Sequence, residues 1–231
     1  MISYTRNKVW EAYFLFSETD KYIQRIKLLI VMDEVFPLQE GIDYKLLKIT
    51  EEGRYSVTRR RDADKIISIL KSTIKDIKTK SITDATGCVG GDTIHFGLNF
   101  QKVDSIEINP ENFEALKNNV SIYGLDNVTF HSGDSVSIFN WKTDVLYIDP
   151  PWGGPNYKEI LNLDLYMSSK RIDEWLEEIL LRKNRPNYIV LKLPQNFNFV
   201  RFNFLSNVET IKPYRIRSYI LVIITTHISK T

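Results

Sequence analysis

The sequence predicts an α/β fold, a mostly parallel sheet covered by helices. Three observations carry that expectation. From residue 81 onward, short apolar runs of strand length alternate with apolar stripes at helical spacing, the pattern of βαβ units. The acids Asp84, Glu107, Asp134 and Asp149 stand at or just after the ends of four successive strand-like runs. The first of those runs leads into a glycine-bearing turn, Asp84-Ala85-Thr86-Gly87-Cys88-Val89-Gly90-Gly91-Asp92, that opens a helix. In open α/β sheets, ligands bind at the carboxyl ends of the strands, where these acids and glycines gather.

The elements follow in order. Ser17-Glu18-Thr19-Asp20 reads as a helix start with Asp in place of the usual Glu, and Tyr22, Ile26, Leu29 and Ile30 continue it at helical spacing. Residues 33–55 are less regular, punctuated by Pro37, Gly41 and Gly53. Ala63, Ile66, Ile67, Leu70 and Ile74 mark a second helix, preceded by Arg59-Arg60-Arg61, a run that is either a solvated face or a phosphate contact. Residues 81–85, 103–108, 127–131, 144–149, 188–193 and Tyr219–Thr226 read as strands. Between the second and third of them, Asn109 is a good N-cap, Pro110 a good first helical residue, and Gly124 a stop. Phe113, Leu116, Val120 and Tyr123 form that helix's buried face. Ile172, Trp175, Leu176, Ile179 and Leu180 share one face of a later helix, capped by Ser168 or Ser169. Lys212, Arg215 and Arg217 read as a basic turn before the last strand. Residues 1–80 form an N-terminal helical extension and residues 81–231 the main domain.

Composition sets outer bounds. The chain has 231 residues, 43% hydrophobic and 26% charged, enough for one well-buried core with a small appendage. Its longest apolar run is too short to span a bilayer, and Met1-Ile2-Ser3-Tyr4-Thr5-Arg6 does not begin a signal peptide. A single cysteine, Cys88, excludes an internal disulfide and points to a reducing, intracellular setting. Three scattered histidines give no zinc pattern, so no metal is expected. A net charge of +2 suits a short nucleic-acid ligand better than a long duplex.

The chemistry concentrates at Asp149-Pro150-Pro151-Trp152-Gly153-Gly154-Pro155. Two prolines cannot continue a sheet ladder, so the preceding strand ends at Asp149 and the chain turns outward. That brings together a carboxylate, the Pro150 carbonyl and the Trp152 ring, which suits a planar base bearing an exocyclic amine. The alternative is a proline-stiffened strand exit with a buried Trp. The upstream turn decides between them. It is not the G-x-G-x-x-G fingerprint and has no Walker lysine. An acid at the position of Glu107 typically takes ribose hydroxyls, and the carboxylate in Gly133-Asp134 can meet an adenine amine.

With these motifs the chain resembles class I S-adenosylmethionine-dependent methyltransferases that act on an exocyclic base amine. The string Pro150-Pro151-Trp152-Gly153-Gly154-Pro155-Asn156-Tyr157 is similar to that of the trimethylguanosine synthases, the RNA cap guanine-N2 methyltransferases. So are Gly53-Arg54-Tyr55-Ser56-Val57-Thr58 (Gly-Trp-Phe-Ser-Val-Thr in the family), Asn118-Asn119-Val120-Ser121-Ile122-Tyr123-Gly124 and Leu193-Pro194-Gln195-Asn196 (Leu-Pro-Arg-Asn). The resemblance runs from about residue 20 to the end. It implies a Rossmann-like, seven-stranded, mostly parallel sheet with helices on both faces. It also implies S-adenosylmethionine as methyl donor, S-adenosylhomocysteine as product, and a monomer acting on 7-methylguanosine-capped RNA or a cap nucleotide.

Carried over, it implies cofactor binding by Asp84, Gly87, Gly90, Glu107 and Asp134, with Asp149 alongside. Asp149, Pro150 and Trp152 are the expected catalytic residues. Trp152 would stack on the base, Pro155 and Tyr157 would border it, and Ser56 and Lys21 would approach the cap phosphates. Two positions depart from the pattern. Asp149 is often Ser in eukaryotic members, and Gln195 replaces a phosphate-gripping Arg. Either Lys192 or the Arg59-Arg60-Arg61 run compensates, or the triphosphate is held weakly. Two competing readings are an adenine-N6 or internal guanine-N2 methyltransferase on DNA or RNA, and a non-catalytic cap-binding module.

Overall fold

A computed structural model describes residues 32–227. The helix start at residues 17–20, its apolar stripe and Lys21 lie outside the described residues. Seven strands form one sheet: β1 (Ser81–Asp84), β2 (Lys102–Glu107), β3 (Val128–Ser132), β4 (Val145–Ile148), β7 (Tyr188–Pro194), β8 (Val208–Ile216) and β9 (Tyr219–Thr226). A separate two-residue ribbon, β5 (Tyr166–Met167) with β6 (Lys170–Arg171), lies outside it. The sheet order is β3-β2-β1-β4-β7-β9-β8. The first five strands are mutually parallel, and β9 runs antiparallel to both β7 and β8. The expected seven-stranded, mostly parallel sheet is present.

Side chains of the central strands alternate between two cores, as a pleated strand requires. Leu146, Ile148, Ile189, Leu191, Val222 and Ile224 face one side, where α6 (Ile172–Leu180) packs through Ile172, Trp175, Leu176, Ile179 and Leu180. Val145, Tyr147, Val190, Leu221 and Ile223 face the other, where α2 (Arg60–Thr73) packs through Ile66, Ile67, Ile69 and Leu70. Strands buried on both faces must be apolar throughout, which is why these runs look continuous in sequence. A third cluster joins Met32, Val35, Phe36 and Leu47 to α3 (Gly91–Gly97) and α4 (Pro110–Ile122).

The caps of α4 are as expected. Asn109 Oδ1 accepts from the amides of Glu111 and Asn112, Pro110 opens the helix, and Gly124 follows it at φ +61°. Two expectations fail. Ser168 and Ser169 do not cap α6: they form the turn of the β5–β6 ribbon, with Ser168 at φ +55°. Arg171 is the N-cap residue instead, and the acids of the first turn, Asp173 and Glu174, complement the helix dipole. Lys212 and Arg215 are not in a turn. They belong to β8, an edge strand that tolerates Pro213 because one side of its backbone needs no partner. The turn to β9 is only Arg217 and Ser218.

Candidate active site

From β1 the chain steps outward to β2 and β3, then returns to β4 on the other side of β1. The strand order thus reverses between β1 and β4, the place where ligands bind in open α/β sheets, at the carboxyl ends of the strands. Asp84 lies level with Tyr147, so the glycine turn and the Asp149 turn leave the sheet side by side. The amide of Asp149 donates to Thr86 Oγ1 at 2.9 Å, tying the two turns together.

Asp84 is fully buried. Its oxygens accept from the Thr86 amide at 3.1 Å and from Thr93 Oγ1 at 2.6 Å. Burial pushes its carboxyl up to about 7, against those two bonds. Asp84 thus shapes the turn from beneath. A Cβ at Gly87 would lie 2.5 Å from Ser105 Oγ and 3.3 Å from the Ile106 carbonyl, so any side chain would lift the turn off β2. Gly90, at φ +94°, starts α3 in a conformation that favours glycine.

Glu107 closes β2 and is 7% exposed. Oε1 accepts from the Asn109 amide and Oε2 from the Cys88 amide, each at 2.7 Å. Burial raises its pKa, opposed by these amides. Glu52, just before the short helix α1 (Gly53–Ser56), reaches the same corner through Asn109 and Asn112. Asp134 caps α5 (Ser135–Ile138), accepting from the Val136 amide at 3.0 Å and Ser137 Oγ at 3.2 Å. The Gly133 amide donates to the Glu107 carbonyl, joining the ends of β2 and β3.

Beyond β4, Pro150 is buried and Trp152 half-buried. The Trp152 ring meets Tyr157 edge-on at 5.2 Å and tilts against Tyr219 at 6.3 Å. Pro155 begins a 3-10 turn, and Asn196 Nδ2 binds the carbonyls of Tyr157 and Ile160 at 2.7 and 2.6 Å, pinning the loop after Trp152. Gln195 points elsewhere, to the Arg217 carbonyl. Ser56 is exposed on α1.

Lys192 is 6% exposed, and its ammonium is spoken for inside the chain. Nζ donates to Asp149 Oδ2 at 2.7 Å and to Thr58 Oγ1 at 2.9 Å, and lies 5.7 Å from the Trp152 ring centre and 5.3 Å from that of Tyr219. Thr58 Oγ1 in turn donates to Asp92 Oδ2, which also accepts from the Tyr147 hydroxyl. Burial pushes the Asp149 carboxyl up to about 6, with Lys192 restraining the rise. Burial works against the Lys192 ammonium, but Asp149 and Asp92 outweigh it and its pKa ends above the ordinary lysine value. In the arginine run, Arg60 Nε is bound to the Asp33 carbonyl and Arg59 lies 3.8 Å from Glu34.

The structure thus brings Asp84, Gly87, Glu107, Asp149, Pro150, Trp152, Tyr157 and Lys192 to the carboxyl-end side of β1, β2, β4 and β7. Sequence reasoning gave no role to Thr58, Asp92, Tyr147 or Tyr219. They are far apart in the chain and are linked through Lys192 and Asp92. Among the described residues, no three His, Cys, Asp or Glu converge as metal ligands, and no helix is long and apolar enough to cross a membrane.

The family described as RNA cap guanine-N2 methyltransferase matches residues 79–222, well over half of the chain. The chain belongs to this family. Among relatives of the family member described here, an uncharacterized protein of Acanthamoeba polyphaga mimivirus is 33% identical over 159 residues, 67% of this chain and 62% of the relative. The trimethylguanosine synthase of Schizosaccharomyces pombe is 38% identical over 111 residues, 45% of each chain. This chain therefore spans less than two thirds of either relative. A structure from Porphyromonas gingivalis, titled as an inferred methyltransferase, aligns at a TM-score of 0.62 and 15% identity, over 87% of this chain and 48% of that one. The fold is the Rossmann-like one of class I methyltransferases.

Proposed function

We propose that the protein methylates the exocyclic 2-amino group of 7-methylguanosine on capped RNA or a cap nucleotide, using S-adenosylmethionine. The product is 2,7-dimethylguanosine, or 2,2,7-trimethylguanosine after a second round. The observation that carries this reading is the Asp149 turn. One carboxylate oxygen is fixed by Lys192, the other has no partner among the described residues, and the half-buried Trp152 ring lies with its centre 5.7 Å from the same Lys192 ammonium.

The residues fit S-adenosylmethionine. A carboxylate offers about four acceptor sites, so Glu107 keeps two after binding the amides of Cys88 and Asn109, enough for two ribose hydroxyls. Gly87 and Gly90 keep the turn beside them bare of side chains, and Asp134 stands at the end of β3 for the adenine amine. When bound, the cofactor would supply an electrophilic methyl carbon, with S-adenosylhomocysteine as the leaving group. Asp149 and the Pro150 carbonyl accept the amine hydrogens, orient the nitrogen lone pair, and offset the positive charge that grows there. The proton lost from nitrogen passes to Asp149 and then to solvent. Trp152 stacks on the base with Tyr157 and Pro155 at its border, while Ser56 and Lys21 approach the phosphates. Lys192 serves Asp149 rather than phosphate. Residues 1–80 contribute to the substrate side of the site and residues 81–231 carry the methyltransferase domain.

A second reading has an observation in its favour. Lys192 already places a cation near the Trp152 ring, which lessens that ring's preference for a cationic base. An adenine-N6 or internal guanine-N2 methyltransferase would need no such preference. Labelled S-adenosylmethionine with 7-methyl-GDP, GTP, ATP and single-stranded oligonucleotides distinguishes the two. Transfer to 7-methyl-GDP alone is expected. Transfer to oligonucleotide and not to 7-methyl-GDP overturns the cap reading.

A further inference from the structure

Asp149 and Lys192 follow directly on paired residues: β4 and β7 pair in parallel through Ile148 and Leu191, and each side chain belongs to the next position along. The side chains meet because of that register. A third element closes the group. Thr58, between α1 and α2, accepts from Lys192 and donates to Asp92 at the start of α3. Thr58 is 4% exposed, and Asp92 Oδ2 also receives the Tyr147 hydroxyl. The ammonium is thus held by two acceptors on different parts of the chain, with Nζ 5.7 Å from the Trp152 ring centre and 5.3 Å from that of Tyr219.

We propose that Lys192, itself held by Thr58, is a positioning residue that fixes Asp149 Oδ2 and leaves Oδ1 to receive the substrate amine. The proposal rests on the reading of Asp149 as the acceptor of the methylated amine. A buried carboxylate without a counter-charge protonates, and a protonated oxygen can donate to an amine instead of accepting from it. A lysine suits the task because its ammonium is a point charge that engages one oxygen. An arginine would grip both in its fork. The acids facing Asp149 from elsewhere, Asp92 on α3 and Asp84 on β1, carry the same sign, so Lys192 is the cation that offsets them. Thr58 makes residues 32–80 part of this arrangement: unless that segment is docked, Lys192 loses one of its two acceptors.

The test uses the full chain with Lys192→Met and with Lys192→Gln, which keeps a hydrogen-bond donor but no charge and serves if the first variant does not fold. The carboxyl carbon of Asp149, labelled with carbon-13 and assigned against Asp149→Asn, is titrated in each protein without substrate. Its midpoint is expected above the wild-type value in both variants. Turnover at neutral pH is expected to fall about tenfold or more with little change in KM, as for loss of an acceptor used in the transition state, and the acid limb of the pH profile should move up with the titration. Thr58→Val should shift both in the same direction by less. An unmoved carboxyl midpoint overturns the proposal whatever the substrate proves to be. A moved midpoint with unchanged turnover on 7-methyl-GDP removes Asp149 as the amine acceptor, and with it the positioning role. A moved midpoint with lowered turnover on a different amine substrate upholds the role of Lys192 and overturns only the cap reading.

Discussion

Asn119 and Lys48 exchange two hydrogen bonds. The Lys48 amide donates to Asn119 Oδ1 at 2.7 Å, and Asn119 Nδ2 donates back to the Lys48 carbonyl at 2.7 Å. The same Nδ2 reaches the Val89 carbonyl at 2.8 Å. One fully buried side-chain amide on α4 thus ties Lys48 to the glycine turn. Asn119→Ala is expected to cost about 1–3 kcal/mol for each polar group left buried and unpaired. A lowered urea midpoint with an unchanged m-value is the measurement. A midpoint equal to wild type would show that the clamp adds nothing.

Glu107→Ala should weaken S-adenosylhomocysteine binding by calorimetry and also lower stability, because it leaves the amides of Cys88 and Asn109 without their acceptor. Asp84→Ala should weaken binding too, by letting the turn collapse, and should lower stability as well. Unchanged affinity in both variants would overturn the cofactor site.

The Asp84 carboxyl is pushed up to about 7 by burial. A carboxyl raised in the folded state holds its proton more tightly there than in the unfolded chain, where it titrates near about 3.9. Its stabilising contribution is therefore full below that value and is lost as pH rises through about 7. Asp84→Asn removes this titration. The stability of the variant, followed by urea unfolding from about pH 4.5 to about pH 7.5, should fall less with pH than that of wild type. Parallel curves would show that Asp84 titrates normally.

Asp149→Ala should lower turnover more than cap affinity, by about 10²-fold, the scale of losing one preorganised polar group at a developing charge. Asp149→Ser should retain part of the activity and lose the acid limb that Asp149, raised to about 6, gives the wild-type profile. A wild-type rate in the Ala variant would remove the residue from the mechanism.

Trp152→Ala should lose activity and selectivity together, and Trp152→Phe should keep some of each. The cation–π contribution, of the order of 0.5–2 kcal/mol, supports about 2- to 30-fold preference for 7-methyl-GDP over GDP. Lys192, close to the same ring, places the expected ratio of specificity constants toward the lower end. Equal specificity constants in wild type would contradict the cap reading.

What the sequence shows and what it hides have physical causes. The helix at residues 110–122 is legible because its signals are local: a capping Asn, a proline at N1 and a glycine stop. The central strands β4, β7 and β9 are legible because both faces are buried, so their residues are mostly apolar. β8 is not, because it lies at the sheet edge with most of its side chains in water, and Lys212, Pro213 and Arg215 look like a turn. Ser168 and Ser169 mislead for a related reason: small hydroxyl residues serve turns and caps alike, and the two-residue ribbon claims them first. At the site, strand-end acids are visible from their order alone. The bonds that hold Lys192 are not, since nothing in the spacing of residues 58, 92, 149 and 192 says that β4 and β7 lie side by side.

The place of β9 between β7 and β8 also orders events on the ribosome. Residues of β8 are synthesised before the strand that is their one neighbour in the sheet. Until residues 219–226 emerge, β8 has nothing to pair with, and the growing sheet ends at β7 with the apolar surface meant for Leu221, Val222, Ile223 and Ile224 open to water. The tight turn at Arg217 and Ser218 shortens that interval, because β9 folds back on β8 as soon as it is made and the two can dock as a hairpin. A nascent chain halted at residue 218 should stay sensitive to protease, and one halted after residue 226 has cleared the exit tunnel should not.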